Sequence, residues 1–302
     1  MIANPRQQIS PLFEDKLKIK LFEILSFTID FFNKHNLRWF ACGGTMLGAV
    51  RHNDIIPWDD DIDLMMPRED YDKLLSLKHE FENTRYRIAS IADKGFYLTS
   101  AKIYDATTTI WEVRRYEFLI GAFVDIFPLD STDFDHELYN KQHLLYSKAR
   151  KNYQMALSHF TVSEMIWDLK NNHPNALLTG IQSLFHNRKL DQLYSVLLCA
   201  DRMFANTGNK YTVSPSGAYG TREFFLSEWF KDYMLFPFRD LMVRVPDGYK
   251  SYLTVMYGDY MTLPPVDKRV SHHSQYYVNL TEALTLEDVK NRLKKGCPRY
   301  EV

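Results

Sequence analysis

Residues 58–67 read Trp-Asp-Asp-Asp-Ile-Asp-Leu-Met-Met-Pro, so acids are pressed against the front of an apolar run. Few structures tolerate that. From Asp61 to Leu64 acid and apolar residues alternate, the period of a half-buried strand, and Pro67 ends the run. On such a strand Asp59, Asp61 and Asp63 share one face, while Ile62 and Leu64 anchor the other in the core. Carboxylates crowded on one face repel one another. They stand either on a solvated acidic edge or around a divalent cation. Mg²⁺ prefers one or two carboxylates completed by phosphate oxygens and water, and Mn²⁺ takes similar ligands. The spacing also matches positions 1, 3 and 5 of an EF-hand. There the sixth position is Leu64 instead of glycine and the twelfth is Asp70 instead of glutamate, which dismisses it.

Upstream, Gly43-Gly44-Thr45 halts a short apolar run, Arg38 to Cys42, before the helix-compatible stretch Thr45 to Val50. A glycine pair there is a plain turn, or a place where backbone N–H groups at a helix start cradle a phosphate. Thr45 either caps that helix or gives its hydroxyl to a phosphate oxygen. A phosphate cradle followed by metal-binding acids is what phosphoryl or nucleotidyl transfer requires. Asp125 interrupts the apolar run Gly121 to Pro128 and is the candidate third carboxylate, either as metal ligand, as the base for an acceptor hydroxyl, or as a strand-end acid meeting a Lys or Arg. Arg51 and Lys102 are the cations to place near phosphate, with an idle surface charge as the alternative for each.

Around these motifs, Ser10-Pro11 opens a helix whose apolar positions run from Leu17 to Phe32 and carry it to about His35. Segments 87–91, 96–104, 107–113 and 122–127 have the texture of strands. After Pro128 the pattern turns helical, over 134–160, 164–170 and 189–205, and residues 206–220 read as a loop. The expected class is α/β (α+β), with a mixed-sheet core and a largely helical region after it. We divide it into a catalytic core 1–133, a helical region 134–210 and a C-terminal region 211–302 that completes the site. Lys and Arg total 37 against 38 Asp and Glu, so no global basic field exists to hold nucleic acid. The three cysteines, Cys42, Cys199 and Cys297, make neither a disulfide framework nor a zinc site. The first residues lack an apolar signal region and no apolar run is long enough to span a bilayer. The expected place is the cytoplasm, with peripheral contact at the inner membrane face left open.

The blocks Ala41 to His52, Ile56 to Asp63, Val124 to Leu129 and Tyr257 to Met261 followed by Leu263-Pro264-Pro265 strongly resemble the LicD family of phosphotransferases, relatives of fukutin and fukutin-related protein. Lys102 with Thr107-Thr108, Lys268-Arg269 and His272 continue the likeness. The resemblance implies a nucleotidyltransferase-like core with Mg²⁺ on Asp61 and Asp63. It implies transfer of an alcohol phosphate from a CDP-activated donor to a sugar hydroxyl. The favoured donor is CDP-choline, with glycerol and ribitol phosphates as alternatives. The acceptor is a glycan or lipid-linked glycan such as a teichoic acid, lipopolysaccharide or capsule precursor. A choline head group favours an aromatic cage, for which Trp58, Trp111 and Tyr116 are candidates. His272 is a candidate contact for phosphate or acceptor, or else a surface group. Two departures stand out: Asn53-Asp54 where the family commonly has a basic residue and Gly, and Phe238-Arg239 where Phe-Glu is common. The same acids also suit a nucleotidyltransferase or glycosyltransferase, distinguished by the leaving nucleotide, and a non-catalytic glycan-binding module remains the third alternative.

Overall fold

The computed structural model describes residues 10–158, 189–270 and 275–302. Helix α1 (Pro11–Lys34) starts where expected: the Ser10 side chain accepts a hydrogen bond from the Phe13 N–H at 3.2 Å. Its buried face, Leu17, Leu21, Ile24, Leu25, Thr28, Phe31 and Phe32, is the one the spacing predicts. After it come β1 (Phe40–Ala41), α2 (Gly43–His52), β2 (Asp63–Pro67) and α3 (Arg68–Ser76).

The main sheet is mixed. Strand β2 lies between β1, antiparallel to it, and β6 (Phe123–Thr132), parallel to it. Beyond β6 follow β4 (Ala101–Asp105) and β3 (Tyr86–Ala89), both in antiparallel pairings. The outer half of β6 pairs instead with β7 (Tyr211–Val213), which carries β8 (Phe224–Leu226). Strand β5 (Thr109–Trp111) leaves this sheet to join β11 (Tyr277–Asn279) and β12 (Tyr300–Glu301). Strands β9 (Tyr233–Phe238) and β10 (Leu241–Pro246) form a hairpin. The α/β class holds, and one hydrophobic core draws on residues from Phe13 to Leu280.

Four sequence expectations change, one being that the stretch 206–220, read as a loop, contains strand β7. The strand after the acids begins at Asp63, so Asp59 to Ile62 lead into it without regular secondary structure. The segment 96–104 is strand only from Ala101. Strand β6 does not stop at Pro128 but continues to Thr132. A proline is tolerated there because β4 pairs only as far as Ile126 and β7 begins at Asp130, so no ladder needs its missing N–H. The helix expected over 164–170 lies outside the described residues.

Helices α4 (His136–Leu157) and α5 (Leu190–Asp201) pack on each other and are tied to the sheet by a buried ion cluster. Arg68 donates to both oxygens of Asp130 at 2.6 and 2.9 Å and to Asp201 at 3.0 Å. Burial works against the guanidinium, yet the Asp130 bonds outweigh it and hold Arg68 above its ordinary range. Removing one member of such a cluster strands the others in low dielectric. Arg68→Ala is therefore expected to cost about 3–5 kcal/mol in urea unfolding. Asp72→Ala, which breaks the exposed pair with Arg202, should cost less than about 1 kcal/mol. Equal losses for the two variants would refute the buried-cluster account.

Candidate active site

Asp59, Asp61 and Asp63 all line one cavity of about 860 Å³. The pairing of β2 with β6 reaches one residue ahead of the strand, since the Asp125 N–H donates to the Ile62 carbonyl at 2.9 Å. Ile62 and Leu64 are thereby fixed in the core, fully buried, and the acids between them turn outward. The carboxylate oxygens gathered within 4.8 Å of one another belong to Asp59, Asp60 and Asp61. Asp63 stands outside that trio, and Asp60 does not line the cavity. Asp59 and Asp61 belong to both sets.

The glycine pair makes room for acids rather than for a turn alone. Gly43 opens α2 at φ +52°, and a Cβ on it would lie 3.4 Å from Asp63 Oδ2. A Cβ on Gly44 would lie 2.4 Å from Asp59 Oδ2, closer than any side chain allows. The Gly43 N–H is already engaged, donating to Tyr252 Oη at 3.2 Å. Gly44 lines the cavity, whereas Gly43 lines a narrow cleft of about 20 Å³ behind it. Thr45 neither caps the helix nor faces the cavity: it is buried and its Oγ1 accepts from the Asp63 N–H at 2.8 Å. The N-cap is Cys42, without a side-chain cap bond. Its thiol is pushed well up by burial and by Asp63, Glu223, Asp125 and Asp61, so it stays neutral and is no nucleophile.

Asp125 faces Asp63 directly across the parallel pairing, and Lys102 faces Asp125 across the antiparallel one. Lys102 is not near the cavity but buried, donating to both Asp125 oxygens at 2.8 and 3.0 Å. It lies 3.3 Å from Glu112 and 3.5 Å above the Phe123 ring centre. Burial would lower its pKa, but Asp125 and Glu112 together raise it, so the ammonium is firmly charged. This corrects its placement as a phosphate contact: Lys102, Asp125 and Asp63 stand in register on one face of the sheet, so the lysine is committed to two carboxylates beside Asp63 and does not line the cavity. Asp125 does not line the cavity either.

Arg51 and Trp58 do line it. Arg51 is anchored to the Tyr260 carbonyl at 2.7 Å, and its pKa is lowered chiefly by burial, then by Arg269. Trp58 carries the Arg269 guanidinium 5.6 Å from its ring centre. Trp111 and Tyr116 are elsewhere: the Trp111 Nε1–H donates to the Tyr116 carbonyl, and Tyr116 stacks on Tyr97. They form no cage with Trp58 around this cavity. His272 lies outside the described residues.

Sequence reasoning missed the opposite wall. Tyr219, Tyr257 and Tyr260 complete it, with Glu223 behind. The block Tyr257 to Met261 was the available signal, but nothing in linear spacing joins it to acids two hundred positions earlier. Glu223 falls just beyond the stretch 206–220 read as a loop, and no motif marked it. Its Oε1 accepts from the Tyr219 N–H at 2.9 Å, and a Cβ on Gly217 would lie 2.0 Å from both its oxygens.

Residues 36–164 match the family model for the LicD/FKTN/FKRP nucleotidyltransferase domain. These residues are a LicD-family domain. The chain is 26% identical over 262 residues to the lipopolysaccharide cholinephosphotransferase LicD of Haemophilus influenzae, covering 82% of this chain and 92% of that protein. A stretch of 34 residues is 56% identical to human ribitol 5-phosphate transferase FKRP, 7% of its length. Within this chain the two departures meet each other. Arg239 Nε lies 3.3 Å from Asp54 Oδ2, and the Arg239 N–H donates to the Asn53 carbonyl at 2.7 Å. One ion pair, Asp54 with Arg239, thus joins the two departures, away from the cavity lining.

Burial raises the Glu223 carboxyl from 4.5 to about 7, although bonds from Tyr219 and Ser214 and the charge of Arg222 oppose the rise. An acid raised on folding binds more protons folded than unfolded, so its cost is absent below its unfolded value and complete above about 7. Glu223→Gln keeps an acceptor for Tyr219 and cannot ionise. Its stability advantage over the parent should grow from pH 5 to pH 8, approaching about 3 kcal/mol. A difference independent of pH in thermal melts would contradict this.

Proposed function

We propose that this chain transfers an alcohol phosphate, phosphocholine in the favoured case, from a CDP-linked donor to a hydroxyl of a cell-surface glycan precursor, releasing CMP. That the chain is a phosphotransferase rests on its LicD-family domain and its likeness to a cholinephosphotransferase over most of both chains. The observation that carries the reading is the single cavity shared by Asp59, Asp61, Asp63, Gly44 and Arg51. An all-carboxylate oxygen set at the edge of an open cavity suits a hard divalent cation, Mg²⁺ or Mn²⁺. Asp59 and Asp61, which belong both to the close carboxylate trio and to the cavity lining, would hold it with Asp63 beside them on the lining, and it would supply charge neutralisation at the diphosphate.

The remaining steps belong to the chain itself. Arg51 offers a fixed cation beside the acids, and Gly44 leaves room for the Asp59 carboxylate at the start of α2. The acceptor hydroxyl oxygen forms a bond to the distal phosphorus while the bridging P–O bond breaks, CMP departs with the bonding pair, and the hydroxyl proton passes to solvent or to the departing phosphate. Such a transfer asks for alignment and charge stabilisation more than for covalent chemistry. Of the roles open to Asp125 we drop the base, since it is bridged by Lys102 and does not line the cavity. We keep it as the charged neighbour that backs Asp63 across the sheet. The short likeness to a ribitol phosphate transferase favours ribitol or glycerol phosphate as the second donor class. No described helix is long and apolar enough to cross a membrane, so a lipid-linked acceptor would be met from the side.

Asp61→Asn and Asp63→Asn should each abolish CMP release, followed by chromatography, while leaving the thermal melt cooperative. Activity persisting in either variant, or in the parent with EDTA, would sink the reading. Release of pyrophosphate or a nucleoside diphosphate would transfer the site to nucleotidyl or glycosyl transfer. A panel of CDP-choline, CDP-ethanolamine, CDP-glycerol and CDP-ribitol, scored for thermal shift with and without Mg²⁺, should raise the melting temperature most for the native donor.

A further inference from the structure

We infer that Tyr219 and Tyr257 act as one neutral hydrogen-bond donor that orients the donor's phosphate against Asp63. This rests on the phosphotransfer reading above. The two hydroxyl oxygens are 2.6 Å apart, with their rings edge to face. One hydrogen bond between two hydroxyls uses one of their two protons, and the other is directed away from the pair. Both side chains are half-buried and both line the cavity that Asp59, Asp61 and Asp63 line.

The position of the pair is over-determined. A Cβ on Gly43 would sit 3.4 Å from Asp63 Oδ2 and 3.8 Å from Tyr257 Oη, so the missing side chain leaves one small space shared by the carboxylate and the phenol. Tyr257 ends helix α6 (Tyr249–Tyr257), and that helix is itself fastened to α2 through Tyr252 and the Gly43 N–H. Tyr219 is held from behind by Glu223, and the Arg222 guanidinium lies 5.5 Å from its ring centre. A pair with a purely structural task would be sealed in the core, whereas this one faces the open wall.

A neutral donor suits the place. An arginine or lysine here would pair with Asp63 or compete with a cation for it, whereas a phenol donates to a phosphate oxygen without adding charge. Burial, with Asp63 and Asp59, pushes Tyr219 up to about 12 against the pull of its bond to Tyr257, so it remains a donor at neutral pH. Burial likewise pushes Tyr257 far up.

The test compares the full-length parent with Tyr219→Phe, Tyr257→Phe and the double variant. It uses CMP release from CDP-choline and, separately, calorimetric binding of inorganic pyrophosphate with Mg²⁺. Each single change should lower kcat about tenfold and weaken pyrophosphate about fivefold, with the melting temperature held. The double variant should be no worse than the weaker single one, because the hydroxyls act as a unit. Rates within twofold of the parent and equal pyrophosphate affinity would overturn the inference. So would losses that follow the melting temperature alone. If the parent releases no CMP from any CDP-alcohol, the functional reading fails. The pair is then judged on pyrophosphate: weaker binding in the variants upholds it and unchanged binding overturns it.

Discussion

The parallel register of β2 against β6 sets Asp63 opposite Asp125, and everything at the site depends on that pairing. Neighbouring strands lie less than 5 Å apart, so two carboxylates meet at a spacing where repulsion in a dry interior is severe. Lys102, arriving on the other side of β6, holds Asp125 with both oxygens and is itself shared with Glu112. The lysine therefore acts beside the site, on the face that carries Asp63 and Asp125. It holds the inner carboxylate in place, which leaves the outer acids as the negative edge of the cavity.

The edge is closed by chain from far along the sequence. Tyr252 accepts from Gly43, Arg51 reaches the Tyr260 carbonyl, and the Tyr219–Tyr257 pair stands across from the acids. One hydrophobic core underlies both walls, so their separation is set by packing rather than by a hinge. The buried Arg68 cluster fastens the α4–α5 pair to the far end of the same strand β6. That strand thus carries the acid at one end and the helical appendage at the other.

The acids were legible because strand periodicity at Ile62 and Leu64 dictates which side chains can be buried. The helix start was legible at Gly43-Gly44, though not its reason. The sequence suggested space for phosphate, while the α-carbons abut Asp63 and Asp59. Thr45 and Lys102 were misplaced for one cause. Each polar group found a partner in the core, Asp63's amide in one case and Asp125 with Glu112 in the other. A linear reading has no means of seeing that satisfaction. Asn53-Asp54 and Phe238-Arg239 looked like independent departures and proved to be two halves of one contact.

By itself the sequence pointed to phosphotransfer, through clustered carboxylates beside a glycine pair and the blocks that resemble the LicD family. It also determined the α/β class, through alternating periods of two and of about three and a half along the first third of the chain. Only the tertiary structure decided which polar groups face solvent and which neutralise one another. That division follows from strand register and from the desolvation cost of any charge left unpaired, and both are properties of contacts between residues remote in the chain.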